Sequence, residues 1–354
     1  MGVSIQLSSL NHIREADMTR QVFKSILLSL IFYPLLYVPI AGAEELVAFD
    51  PGLNEFPESV SADVSGNVYV SLQGSNGEIW RIKPNGEMTL HFRLDPLPPE
   101  GSLGVLGVRT DGPDKLLAAV ASFDPATRGV WQIKINGNAH RIEGSQNIFA
   151  PNDLAIDVDG NIYVTDVIVG AVWRMSPEGH GGYTVQPWVM DPLLAGNGTA
   201  GQGIPLGANG IAYHEGRIHV AVTERAHIVS FDVLNDGSAG PAEIYVAHPS
   251  LFTIDGITVD HEGTVYAAVA ALGGVSLGRV MRIEEGQVPV EILGPADRLQ
   301  FITSLTFGSH PTDCDFLYVV NWDVLAATFG LTPKPALHGF VLPYSGDAKT
   351  CNPY

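Results

Sequence analysis

The sequence predicts an all-β fold, a six-bladed β-propeller with four-stranded antiparallel blades around a central channel. Two observations predict it. A hairpin-like unit recurs six times at the spacing of one blade, and further short strands follow each copy. The chain also contains 39 glycines and 24 prolines, which suits a fold with many tight turns.

Each copy of the repeat begins as an alternating apolar strand, turns at a glycine and returns as a second strand. The clearest pair is Asn152-Asp-Leu-Ala-Ile-Asp-Val-Asp-Gly-Asn-Ile-Tyr-Val and Asp255-Gly-Ile-Thr-Val-Asp-His-Glu-Gly-Thr-Val-Tyr-Ala. Period-two alternation around such a turn predicts a β-hairpin. The six copies start at Glu58, Gly104, Asn152, Asn209, Asp255 and Ser304.

A third strand is expected after each hairpin, as in Glu78-Ile-Trp-Arg-Ile, and a fourth in several copies. The last copy lacks an outer strand of its own, so we expect Glu45-Leu-Val-Ala-Phe to supply it and cover the exposed edge. A two-sheet sandwich is the alternative, but sandwiches do not repeat one unit six times. The propeller is predicted to span residues 44–343, with a tail at 344–354.

Residues 1–43 are predicted to be an export signal rather than part of the fold. Basic residues precede an apolar run at 25–40, and small residues follow it at 41–43. We therefore expect cleavage after Ala43 and a periplasmic or secreted protein. An uncleaved membrane anchor is the alternative, and Met18 is an alternative start.

The two cysteines, Cys314 and Cys351, predict one disulfide if the chain is exported. Two free thiols are the alternative. Either way, two cysteines are too few for a cysteine metal cluster.

The net charge of −19 limits the kinds of partner. A nucleic acid needs a basic surface to contact its phosphates, and an anionic membrane attracts basic segments. We therefore expect a small-molecule substrate, no nucleic acid, and no membrane association after signal cleavage. The sequence does not predict the oligomeric state.

Oxygen-bearing side chains recur at the starts of the repeats. The innermost strands of a propeller line its channel, so these starts are expected to meet at one mouth. Carboxylate and amide oxygens are the ligands of hard cations such as Ca²⁺ and Mg²⁺. Asn and Asp also favour turns, which is the alternative for any single position. The candidate metal ligands are Glu58, Asn152, Asn209 and Asp255.

At these positions the sequence resembles the senescence marker protein-30/gluconolactonase-like family of six-bladed propellers. The resemblance covers nearly the whole mature chain. The matching positions are Glu58 and Asn209 as metal ligands, Asp255 as ligand and general base, Asn152 on the substrate side, and Thr303-Ser304 in the last blade.

The resemblance implies a hydrolase of lactones or small esters with one divalent cation, Ca²⁺ first and Mg²⁺, Mn²⁺ or Zn²⁺ as alternatives. The cation would polarise the carbonyl, Asp255 would act as general base, and Asn152 and Ser304 would contact the substrate. The chain departs from the family where Ser59 follows Glu58. It also lacks a clear counterpart of the basic substrate-binding residue.

Two other propeller functions remain open. The segment from Pro151 to Asp166 also resembles an NHL-type repeat, which would make the chain a non-catalytic binding protein. A strictosidine-synthase-like propeller is the other alternative, and such enzymes use an acidic residue without a comparable metal site.

The glycine-rich segment 195–203 predicts a flexible loop between blades that could cover the channel mouth. His180, His248 and His310 lie in no motif and are expected to be surface or loop residues.

Overall fold

Antiparallel strands make up most of the structure, which is a computed structural model. It describes residues 44–74, 76–270, 277–323, 326 and 332–342. The predicted export signal and C-terminal tail lie outside these residues and stay predictions. No helix within the described ranges is long and apolar enough to cross a membrane.

The described strands follow one another in sets of four. The first set is β2 (Phe56–Ala62), β3 (Val68–Gln73), β4 (Glu78–Ile82) and β5 (Met88–Arg93). The second is β6 (Gly104–Thr110), β7 (Lys115–Ala121), β8 (Gly129–Lys134) and β9 (Ala139–Arg141). The third is β10 (Pro151–Ile156), β11 (Ile162–Asp166), β12 (Ala171–Pro177) and β13 (Tyr183–Met190).

The remaining sets repeat this pattern. The fourth is β14 (Ala208–His214), β15 (Arg217–Val222), β16 (His227–Asp232) and β17 (Glu243–Ala247). The fifth is β18 (Ile254–Val259), β19 (Val265–Val269), β20 (Arg279–Ile283) and β21 (Val290–Leu293). The last is β22 (Ile302–Phe307), β23 (Phe316–Asn321) and β24 (Ala336–Val341), completed by β1 (Glu44–Ala48).

Each set forms an antiparallel sheet in which sequential strands are neighbours. The first two sets join into one eight-stranded sheet through a single residue pair, Gln73 with Gly104. The last sheet has the order β1-β24-β23-β22. The expectation that the segment at Glu45 supplies the missing outer strand is confirmed, as is an all-β chain of four-stranded antiparallel sheets.

The turns between the first two strands of each set depend on glycine. Gly66, Gly160, Gly216 and Gly263 all have φ between 79° and 86°, a region that favours glycine. These four residues are the turn positions of the sequence repeat, which explains why glycine recurs there.

The first strands of the six sets, here called the inner strands, lie side by side in a closed ring. The strands β2, β6, β10, β14, β18 and β22 each contact the next, and β22 contacts β2. A Cβ atom on Gly210 would lie 2.3 Å from the carbonyl oxygen of Asp255 on the neighbouring strand, so only glycine permits this approach. Between the last and first inner strands, the Thr303 hydroxyl donates to the Glu58 carbonyl oxygen at 2.7 Å.

Apolar clusters fill the space between neighbouring sheets. One cluster joins Val60 and Val70 of the first sheet to Val320 and Leu337 of the last, all nearly inaccessible to solvent. The ring is therefore closed by a core as well as by hydrogen bonds, and the inner strands are held close around the channel.

Candidate active site

A β-bulge interrupts every inner strand near its start, where the pairing register with the second strand shifts. A bulge leaves residues unpaired and redirects their side chains. The bulged residues are Glu58, Leu106, Asn152 and Asp153, Asn209 and Gly210, Asp255 and Gly256, and Thr303. The candidate ligands therefore lie within the inner strands, at the bulges near their starts.

Two of the predicted repeat starts do not occupy a bulge. Gly104 pairs with Ala121, and Leu106 is the bulged residue of that strand. Ser304 pairs with Val320, so Thr303 takes the bulge position. The role of Ser304 in substrate binding stays a prediction.

Three carboxylates influence one another in this region. Burial raises the pKa of Glu58 well above its usual value, and the negative charges of Asp255 and Asp153 raise it further. Burial is also the main cause that raises the pKa of Asp255 to about 8, with repulsion from Asp153 adding to it and a hydrogen bond from Asn209 opposing it. Three ionised carboxylates in one buried region are unfavourable unless a positive charge balances them.

Asp153 is the functional residue that sequence reasoning missed. Its carboxylate accepts hydrogen bonds from Leu154 N at 2.8 Å and from Ile211 N of the next inner strand at 3.2 Å. The signal was present in the repeat, because the residue after the bulged Asn209 and Asp255 is glycine, whereas Asp153 follows Asn152. In the other repeats this position is glycine or serine, so the acidic side chain of Asp153 adds a third charge.

Arg109 partly balances this third charge. Burial raises the pKa of Asp153, and the Arg109 guanidinium acts against that shift. The Arg109 Nε donates to the carbonyl oxygen of Leu154 at 2.9 Å, which holds the side chain against the third inner strand. Arg109 also lines a cavity of about 350 Å³ at the opposite end of the channel, where the inner strands end.

Two buried oxygen atoms next to these carboxylates have no hydrogen-bond donor among the described residues: Glu58 Oε2 and Asn209 Oδ1. The Asn209 amide is oriented by its own Nδ2, which donates to the Thr223 hydroxyl at 3.0 Å. Buried polar atoms without a partner are rare, and each requires an explanation. Two bare oxygens beside repelling carboxylates fit a bound hard cation.

Asn152 lies in the same bulge as Asp153 but is partly exposed. The charge of the neighbouring Asp153 is the one that acts on Glu58. Within the described chain, no three His, Cys, Asp or Glu side chains are placed to hold a metal ion by themselves. A cation here would therefore also need the amide oxygens of Asn209 and Asn152, together with water.

The glycine-rich segment directly before the fourth inner strand is anchored by one buried carboxylate. Glu224 accepts hydrogen bonds from five backbone N–H groups, at distances of 2.5 to 3.1 Å. Burial alone would raise the pKa of Glu224, but these donors lower it below its usual value. These bonds fix the segment to Glu224, and its expected role in covering the channel mouth stays a prediction. The donors belong to Asn197, Gly198, Ala200, Gly201 and Leu206.

None of the three candidate histidines lies in an inner strand. His180 is in the turn between β12 and β13, and His310 is in the turn between β22 and β23. His248 precedes a short 3-10 helix and accepts from Ser250 N.

Cys314 is disulfide-bonded rather than a free thiol. Its expected partner Cys351 lies outside the described residues, so the pairing itself stays a prediction.

No family model and no curated protein matches the sequence. Solved structures do match. A gluconolactonase from Xanthomonas campestris has a TM-score of 0.57 at 16% identity, covering 85% of this chain and 89% of its own. A luciferin-regenerating enzyme has a TM-score of 0.57 at 15% identity, with 84% and 94% covered.

A chain of a nidogen–laminin complex is also similar, with a TM-score of 0.51 at 16% identity, covering 71% of this chain and 84% of its own. At these identities the likeness concerns the fold and not the activity. The family resemblance expected from the sequence is therefore found at the level of the fold, which this chain shares with gluconolactonase-type structures.

Proposed function

We propose that the six strand sets are the blades of a six-bladed propeller that hydrolyses a lactone or small ester with the help of one divalent cation. Glu58, Asn152, Asn209 and Asp255 would hold this cation, and Ca²⁺ is the preferred candidate over Mg²⁺, Mn²⁺ and Zn²⁺. The observation that carries the proposal is a pair of buried oxygens without a hydrogen-bond donor among the described residues, Glu58 Oε2 and Asn209 Oδ1, in a region where the charges of Asp153 and Asp255 act on Glu58.

The bound cation would polarise the substrate carbonyl and favour the ionised forms of the carboxylates. Asp255 then accepts a proton from the water that attacks the carbonyl carbon, and returns it to the leaving oxygen as the carbon–oxygen bond breaks. The Asn209 Nδ2 donates to the Thr223 hydroxyl, which leaves the amide oxygen on the other side and available to the site. Export to the periplasm or outside the cell is part of the proposal.

The first test uses the mature chain, residues 44–354, with aryl acetates and lactones in EDTA or in added Ca²⁺. We expect hydrolysis and a higher melting temperature only with Ca²⁺. The alternative, a non-catalytic binding propeller, would be supported if neither EDTA nor Ca²⁺ changes the melting temperature and none of these substrates is hydrolysed. The similarity to a chain of a nidogen–laminin complex makes that outcome the main alternative.

The second test replaces the base. Asp255→Asn keeps the size of the side chain but cannot accept a proton, so kcat should fall by at least about a hundredfold. The exposed turn residue Asp159 provides the matched control, because Asp159→Asn removes the same charge far from the inner-strand bulges. Full turnover by Asp255→Asn would exclude this residue as the base.

A further inference from the structure

Exposed apolar side chains precede most of the inner strands. In five of the six sets, a large apolar residue that is 39% to 64% exposed lies one to four residues before the inner strand begins. In the sixth set the corresponding residue, Phe301, is buried against Trp322. We call the five exposed residues the apolar collar: Leu53, Leu103, Phe149, Ile204 and Phe252.

The collar lies on the same face as the carboxylates. Each collar residue is in the loop that leads into an inner strand, and the bulged residues follow within a few positions. Hydrogen bonds tie two of these loops to the connection between the second and third strands of the preceding set, since Thr253 N donates to Thr223 O at 2.9 Å and Gly207 N donates to Val167 O at 2.7 Å. The collar therefore surrounds the entrance to the candidate site.

Both faces expose aliphatic residues, but within the described chain exposed phenylalanines occur only at the site face. The hairpin turns at the opposite face expose aliphatic residues such as Val64, Val158 and Val288. The three phenylalanines that are exposed in the described part of the chain, Phe123, Phe149 and Phe252, all lie in loops on the site face. Single exposed apolar residues need no explanation, but several in one register around a polar site do.

The collar also contains an aromatic side chain, Phe149, that packs against the guanidinium of Arg128. The Arg128 guanidinium lies 5.8 Å from the centre of the Phe149 ring, and its Nε donates to the Gln146 carbonyl oxygen at 3.0 Å. Phe149 N in turn donates to the buried carboxylate of Asp166 at 2.7 Å. Phe149 is thus positioned two residues before the third inner strand and is available to contact a ligand.

We propose that the apolar collar binds the alkyl or aryl part of the substrate, so that the preferred substrates are apolar lactones and esters rather than polyhydroxylated sugar lactones. This inference rests on the proposed hydrolase function. A ligand at the carboxylates extends outward past the collar, and its apolar part loses contact with water there. A negatively charged membrane is a poorer occupant for a chain with a net charge of −19.

The experiment measures kcat/KM in Ca²⁺ for γ-lactones whose alkyl substituent grows from none to eight carbons, with gluconolactone alongside. We expect kcat/KM to rise about two- to fourfold for each added CH₂ over the first several carbons, mainly through KM. The double variant Phe149→Ser/Phe252→Ser should flatten this slope. The matched control Val158→Ser/Val288→Ser changes exposed apolar residues on the opposite face and should leave the slope unchanged.

The outcomes separate this inference from the function on which it rests. If no lactone or ester is hydrolysed, the proposed function fails. If hydrolysis occurs but kcat/KM is independent of alkyl length, or gluconolactone is preferred, the collar proposal is overturned. It is also overturned if the collar variants keep the slope but lose binding to phosphatidylcholine vesicles, because the collar would then contact lipid.

Discussion

At the scale of single residues, the inner-strand bulges bring acidic side chains of like charge together. Glu58, Asp153 and Asp255 raise the cost of one another's ionisation, and Arg109 offsets only part of it. In the absence of a cation, the folded chain should therefore hold protons that the unfolded chain releases.

This difference predicts how the stability of the metal-free protein depends on pH. The folded pKa of Asp255 is raised to about 8, whereas an unfolded aspartate titrates near 3.9. The stabilisation that the folded chain gains from keeping Asp255 protonated is complete below the pKa of the unfolded chain. It is lost as the pH rises through the pKa of the folded chain. In EDTA, the unfolding free energy should thus fall between pH 4 and 8, by at most about 1.4 kcal/mol per pH unit for one proton.

Urea unfolding of the native chain and of Asp255→Asn, at several pH values in EDTA, measures this effect. The stability of the native chain relative to the variant should decrease as the pH rises, and Ca²⁺ should abolish the decrease. A difference that increases with pH would contradict the raised pKa.

The missed residue gives a second prediction. Asp153→Asn removes one negative charge while the amide oxygen can still accept from one backbone N–H, so repulsion in the metal-free channel should fall. Calcium affinity should weaken roughly tenfold, which corresponds to about 1.4 kcal/mol. Calorimetric titration with Ca²⁺ measures it, with Asp159→Asn as control, and an unchanged affinity would show that Asp153 acts only as a link between strands.

The sequence repeat itself carried the signal for three of the candidate ligands. Glu58, Asn209 and Asp255 stood out because they occupy equivalent positions in equivalent units. For Asp153 the repeat carried only the contrast with glycine at the equivalent positions after Asn209 and Asp255, and its effect on Glu58 and Asp255 depends on the folded structure. The two donorless oxygens could not be predicted either, because hydrogen-bond satisfaction depends on how each side chain is oriented.

At the scale of elements, the recurrent bulge connects a repeating fold to a non-repeating site. A regular strand would place alternate side chains in its two apolar interfaces, as Leu154 and Ile211 are placed. The bulge takes the two residues before each of them, which include Asp153 and Asn209, out of this alternation. The strands were predictable from alternation, but the bulges were not, because a one-residue shift in pairing leaves little trace in a short apolar run.

The loop before the fourth inner strand gives a prediction at this scale. The variant Glu224→Gln replaces one carboxylate oxygen by an amide NH₂ group, which cannot accept the hydrogen bonds that this oxygen accepts from backbone N–H groups. Hydrogen bonds to a charged group contribute about 1.5–3 kcal/mol each, so the loop should be held less firmly. We expect faster proteolysis within 197–206, measured by mass spectrometry of limited digests.

Glu100→Gln is the matched control, because Glu100 is exposed in another loop that leads into an inner strand. Equal rates of cleavage in the native chain and in both variants would mean that Glu224 does not anchor this loop.

At the scale of the whole molecule, the ring is closed by pairing the two ends of the described chain. Strand β1 covers the edge of β24, which would otherwise expose unpaired N–H and C=O groups. This arrangement was predictable, since the last repeat lacked a fourth strand and the N-terminal segment had the right pattern. The activity could not be predicted from the fold, because similar folds serve different functions.

Ring closure predicts the effect of a short truncation. A chain that begins at residue 49 should melt at a lower temperature than one that begins at 44, and it should self-associate through the exposed edge of β24. Differential scanning calorimetry and light scattering measure the two effects. If the shorter chain melts at the same temperature and stays equally dispersed, β1 contributes nothing to closure.

The bond between Thr303 and Glu58 joins residues 245 positions apart. Contacts of such long sequence separation form late and slow folding, because a large loop must be ordered first. During synthesis the first sheet cannot pack against the last sheet until almost all of the polypeptide has been made. Under the proposed export, a chain that stays open this long would suit threading through a narrow secretion pore, and it would be exposed to proteases until its last repeat docks.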